Sequence, residues 1–79
     1  MIDLKETLAN IARAIVDNPD QVTVIAVEED AGHIKLQLSV APSDMGKVIG
    51  KHGKIAKAIR QLMKAAANES KKKVTVDIE

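Results

Sequence analysis

The chain has 79 residues, 46% of them hydrophobic, and a formal net charge of +1. That length makes one domain, residues 1–79, which buries only roughly 60–65% of its unfolded surface, so modest stability is expected unless the chain associates. Cysteine and aromatic residues are both absent, which excludes disulfides, thiolate catalysis, sulfur-ligated metal and the stacking of bases on aromatic rings.

Asp3 followed by Glu6 reads as a capping box with Asp in the Ser/Thr place. Leu4, Leu8, Ile11, Ala12, Ile15 and Val16 then recur at helical spacing, and Asn18-Pro19 stops the helix. Lys5, Arg13 and Asp17 lie on its wet face. Val22 to Val27 is β-branched and apolar, which suits a strand, and Glu28-Glu29-Asp30-Ala31-Gly32 reads as a charged turn. In the next strand, Ile34, Leu36, Leu38 and Val40 alternate with His33, Lys35, Gln37 and Ser39, so one face is buried and the two strands form a hairpin. Ala41-Pro42 ends it. Ser43 is the expected N-cap of a short helix through Ile49.

A second helix is expected from about Gly53 to Asn68, with Ile55, Ile59, Leu62, Met63 and Ala66 on its core face. Lys54, Lys57, Gln61 and Lys64 take the opposite side, and Arg60 its margin. After Lys71-Lys72-Lys73, Val74, Val76 and Ile78 alternate with Thr75 and Asp77 as a third strand. The order is α-β-β-α-α-β, an α+β fold with a three-stranded mixed sheet. A right-handed crossover places strand 33–40 in the centre, antiparallel to 22–28 and parallel to 73–78. Three helices then cover one face. The other face, with Thr23, Lys35, Gln37 and Thr75, is expected to be polar and exposed.

Charge is unevenly spread. Residues 1–30 hold seven acids against two bases, whereas residues 31–79 hold ten bases against four acids. Such asymmetry suits a positive face for a polyanion. The stretch Val48-Ile49-Gly50-Lys51-His52-Gly53-Lys54-Ile55 focuses that charge. Two glycines three apart permit a sharp reversal and leave bare backbone that a large ligand can approach. The helix that follows presents unpartnered N–H groups and the positive end of its dipole, a natural anion site. Lys47, Lys51, Lys54 and Lys57 surround the corner, so the expected ligand is phosphate, and nucleic acid the leading source.

Ile49-Gly50-Lys51-His52-Gly53-Lys54-Ile55 resembles the I-G-x-x-G-x-x-I signature of the K-homology (KH) domain, with its closing isoleucine at 55 and Ala56 in the signature's last place. The element order resembles the type II KH fold. Chain length, Asn18-Pro19-Asp20 and Gly46-Lys47-Val48-Ile49-Gly50-Lys51 resemble the small bacterial single-domain KhpA family over essentially the whole chain. The resemblance implies single-stranded RNA binding, with the loop clamping about four nucleotides against an aliphatic groove. Gly50 and Gly53 would admit the sugar-phosphate backbone. Lys51 and His52 would offer charge and a hydrogen bond. Ile49 and Ile55 would anchor the flanking helices, Ile55 also lining the groove, and Lys47, Lys54 and Lys57 would add phosphate contacts. It further implies a post-transcriptional or RNA-chaperone role linked to cell elongation or division. Pairing as a homodimer, or with a larger KH-containing (KhpB-like) protein, belongs to the same set of expectations.

The rival chemistries are weaker. Gly46 to Lys51 departs from a P-loop, because three residues rather than four separate Gly46 from Gly50 and His52 replaces the required Ser/Thr. No nucleophile–base pattern is present, so no catalytic residue is assigned. His33 and His52, nineteen apart and without cysteine, make a poor metal site, and no cofactor is expected. A protein–protein module, helped by Ala65-Ala66-Ala67, is the alternative function, and single-stranded DNA the alternative ligand. No apolar run spans a membrane and the N-terminus has no basic-then-apolar leader, so a cytoplasmic location without membrane insertion is expected.

Overall fold

The computed structural model describes residues 3–78. Asp3 caps helix α1 (Leu4–Ile15), its carboxylate accepting from the Glu6 amide at 3.2 Å. The Glu6 carboxylate faces Arg13 at 3.4 Å rather than closing the box. Leu8 and Ala12 are fully buried, while Ile11 and Ile15 flank the core. The helix ends three residues before Pro19, at an extended Val16. The cause is tertiary: the amides of Asp17 and Asn18 donate to the Asp44 carboxylate, and so leave the helical ladder.

Strand β1 (Thr23–Asp30) is longer than its apolar run, and β2 spans His33–Ser39. The expected five-residue acidic turn shrinks to Ala31-Gly32, with Gly32 at φ 82°. Glu28 pairs Ile34 and Asp30 pairs His33, so Glu29 is a bulge within the ladder. Bulges of this kind twist a strand and blunt its edge. Helix α2 (Met45–Ile49) follows a single turn of 3₁₀ helix, Pro42–Asp44, and no side chain caps either one. The expected Ser43 cap is therefore absent. Ser43 is exposed, and the residue entering α2 is Asp44, whose carboxylate is committed elsewhere.

Helix α3 (Lys54–Glu69) and strand β3 (Lys73–Ile78) complete the chain. The sheet order is β1-β2-β3, with β1/β2 antiparallel and β2/β3 parallel, as the crossover argument requires. The core is wholly aliphatic. Leu8, Ala12, Leu36, Leu38, Val48 and Met63 are completely inaccessible, with Ile59 beside them.

Two expectations about faces are corrected. In α3 the buried residues are Ala56, Ile59, Met63 and Ala67, whereas Ile55 is 36% and Leu62 57% exposed. The helix is turned about one residue from the stripe that the largest side chains suggest. Alanines at 56 and 67 let its backbone approach the core closely. The outer sheet face does carry exposed Thr23 and Thr75, but edge strand β1 adds Ile25 and Val27, 56% and 42% exposed, beside them.

Candidate nucleic-acid interface

The corner between α2 and α3 is built by backbone. The Gly50 amide closes α2 by donating to the Gly46 carbonyl at 2.8 Å. Gly50 itself sits at φ 74°, ψ 175°, a region essentially closed to side-chain-bearing residues. A tight turn, Lys51–Gly53, follows, held by the Gly53 amide donating to the Gly50 carbonyl at 3.2 Å. His52 (φ 58°, ψ 26°) and Gly53 (φ 73°, ψ 14°) are both left-handed. Gly53 is the N-cap of α3, and no side chain caps that helix. Its first amide, that of Lys54, donates to the Lys51 carbonyl, so the tight turn rather than a side chain closes the start of the helix.

Lys51, His52 and Lys54 are exposed, and Gly50 and Gly53 partly so. The corner is open. Ile49 and Ile55 stand on either side of it, 38% and 36% exposed. They do not anchor the helices as expected. That work falls to Val48 (0% exposed), Ala56 (5%) and Ile59 (2%). Ala56 occupies the signature's last place and is buried there, which frees Ile55 to lie across the corner. Its side chain packs so close to Gly50 that a Cβ on Gly50 would meet Ile55 Cγ1 at 2.6 Å. The two isoleucines thus form aliphatic walls around bare backbone.

The lysines divide. Lys51, Lys54 and Lys57 are exposed and make no ion pair among the described residues. Lys47, expected to contact phosphate freely, instead pairs with Asp17 at the end of α1. Arg60 turns along α3 toward the sheet, its Nε donating to the Val76 carbonyl at 3.3 Å.

Asp44 was not singled out by its sequence position. The residue is 1% exposed. Burial pushes its carboxyl up, but hydrogen bonds from the Asn18 side chain and from the Asp17 and Asn18 amides, helped by Lys47, prevail and hold it below the usual carboxylate value. A single acid between Pro42 and a short helix gives no sign of partners 26 and 27 residues away.

Neither histidine takes part in a metal cluster: no group of three or more His, Asp or Glu is gathered among the described residues. His33 Nε2 bonds Thr75 Oγ1 at 2.9 Å across the sheet. No helix among the described residues is long and apolar enough to cross a membrane.

Comparison with known proteins agrees with the fold. Residues 5–78 match the family model described as KhpA/KhpB, KH domain. The chain is 57% identical over 75 residues to "RNA-binding protein KhpA" of Caldanaerobacter subterraneus subsp. tengcongensis, covering 92% of this chain and 96% of that one. It is 53% identical over 75 residues to the protein of the same name from Clostridium acetobutylicum, covering 95% and 99%. The Treponema pallidum protein of that name is 49% identical over 74 residues, covering 94% and 91%. Each of these relatives carries the name of an RNA-binding protein.

Proposed function

The chain belongs to the KhpA/KhpB KH-domain family, and we propose that it binds single-stranded RNA at the Gly50-Lys51-His52-Gly53 corner. The observation that carries the reading is the exposed corner itself, with Gly50 in a glycine-only conformation between two half-exposed isoleucines. A sugar-phosphate backbone can lie against Gly53, where nothing stands within 4 Å of the Cβ position, and against the part of Gly50 that the Ile55 side chain leaves open. Lys51, Lys54 and Lys57 supply charge, His52 a hydrogen bond, and Ile49 and Ile55 an aliphatic surface for bases. Lys47 contributes only when it leaves Asp17. Without aromatic side chains, affinity per site is weak and little dependent on base identity. That suits a post-transcriptional regulator or chaperone acting on many transcripts, with the link to cell elongation or division as a downstream consequence.

The test is the double variant Lys51→Asp/His52→Asp. RNA crosslinking should be lost while thermal stability and oligomeric state stay unchanged. Unaltered RNA binding in that variant refutes the corner as the clamp. Titration with matched RNA and DNA oligonucleotides separates the two ligands, and tighter RNA binding is expected.

A second reading, pairing with another KH chain, is favoured by Leu62. It is 57% exposed on α3, on the flank away from Arg60, with exposed Ala58 and Ala65 near it. Two such flanks pack closely because the alanines are small. A second copy or a larger KhpB-like protein would present a surface of the same kind, and pairing there leaves the glycine corner free.

A further inference from the structure

A second set of ammonium groups gathers at the opposite end of α3. A cavity of about 460 Å³ opens between the last turn of α3 and the start of β3, lined by Lys64, Asn68, Lys72, Lys73, His33 and Thr75 among others. The backbone brings these residues together. Lys64 and Asn68 are one turn apart on α3. Beyond them the Lys71 amide donates to the Asn68 carbonyl at 3.0 Å and the Lys72 amide to the Ala67 carbonyl at 2.9 Å, closing the helix end sharply. The Lys73 amide then donates to the Gly32 carbonyl at 2.7 Å, which fixes the first residue of β3 against the hairpin.

No carboxylate lines this cavity. Lys64, Lys72 and Lys73 make no ion pair among the described residues, and His33 is already bonded to Thr75. Three like charges held around one concavity repel one another, and a polyanion relieves that repulsion. A row of helix positions leads from the cavity toward the corner. Lys57, Gln61, Lys64 and Asn68 follow one another at i, i+4, i+7 and i+11, a single row along α3. From Lys54 at one end to Asn68 at the other the helix rises about 21 Å.

We propose that a single RNA strand gripped at the glycine corner continues along this row and places a second group of phosphates in the cavity formed by Lys64, Lys72 and Lys73. The footprint is then longer than the roughly four nucleotides that one KH corner clamps. The inference rests on RNA binding at the corner, and the row of polar and basic residues linking the two ends favours one continuous polymer over a separate acidic partner.

Fluorescence anisotropy with oligouridylates of 4 and 12 nucleotides, over a salt series, tests it. Three proteins are compared: the natural chain, Lys64→Gln/Lys72→Gln/Lys73→Gln, and Lys51→Asp/His52→Asp. All the substituted side chains are exposed, so the thermal midpoints should match. For the 12-mer, the triple variant should reduce the slope of log K against log salt by about 2, since each lost phosphate contact removes about 0.7. Its binding of the 4-mer should be unchanged. Equal 12-mer slopes in the natural and triple proteins overturn the second locus, as does equal weakening of both lengths. Loss of poly-glutamate peptide binding in the triple variant, with oligonucleotide slopes unaltered, assigns the cavity to an acidic protein segment and also overturns it. Retained 4-mer binding by the double variant refutes the corner itself, and the extension with it.

Discussion

Gly50 and Gly53 look equivalent in the sequence, yet the structure makes different demands on them. At Gly50 the backbone is in a region reserved for glycine, and an added Cβ would also lie 2.6 Å and 2.9 Å from side-chain atoms of Ile55. Gly50→Ala should therefore destabilise the fold by about 2–3 kcal/mol, read from urea unfolding. Trimming Ile55 to alanine should recover part of that loss, because one of the two causes is steric. At Gly53 the backbone is left-handed, but nothing lies within 4 Å of where a Cβ would stand. Gly53→Ala should cost only about 1 kcal/mol, a conformational penalty alone. The glycine pair and its lysines were legible from spacing. That Ala56 rather than Ile55 is buried was not, because positions 55, 59, 62, 63 and 66 satisfy helical periodicity as well as 56, 59, 63 and 67 do.

Individual elements end where remote groups make them end. Helix α1 stops early because Asp44 captures two of the amides that follow it. The same bonds tie the end of α1 to the start of α2, and so to the glycine corner. A carboxyl held below its ordinary value stabilises the fold fully above the unfolded value near 3.8, and that contribution is lost as pH falls through the lowered folded value. Asp44→Asn should consequently lower the urea midpoint at neutral pH and flatten its fall on acidification. An identical acid limb in the variant and the natural chain would show that other carboxylates govern it. At the far end of α3, Lys71 occupies a left-handed position, φ 57°, that glycine fills in most helix ends of this type. Lys71→Gly should raise stability by about 0.5–1 kcal/mol, the relieved strain offset by the extra freedom of the unfolded chain.

Across the molecule, the sheet order separates the charges that the sequence keeps apart. The acids Glu28, Glu29 and Asp30 lie on edge strand β1, whereas Lys71, Lys72 and Lys73 lead into β3 at the opposite edge, beside α3 with its own lysines. Association with RNA should weaken steeply with added salt, because binding releases counterions and that release is less favourable in concentrated salt. A salt-insensitive complex would point to protein partners instead. Self-association should behave differently, because the exposed flank of α3 is apolar. Leu62→Glu is expected to shift sedimentation velocity toward the monomer without lowering the thermal midpoint, and an unchanged distribution would exclude that flank.

The order of elements and the glycine corner were determined by the sequence itself, because periodicity and glycine freedom act over a few residues at a time, and the strand pairing followed because a crossover between parallel strands has one preferred hand. Core packing decided which flank of α3 faces inward, and contacts between residues 26 or more apart decided where α1 ends and whether Lys47 is free. Neighbouring residues carry no record of such partners. Packing and charge pairing choose among them only once the chain has closed on itself.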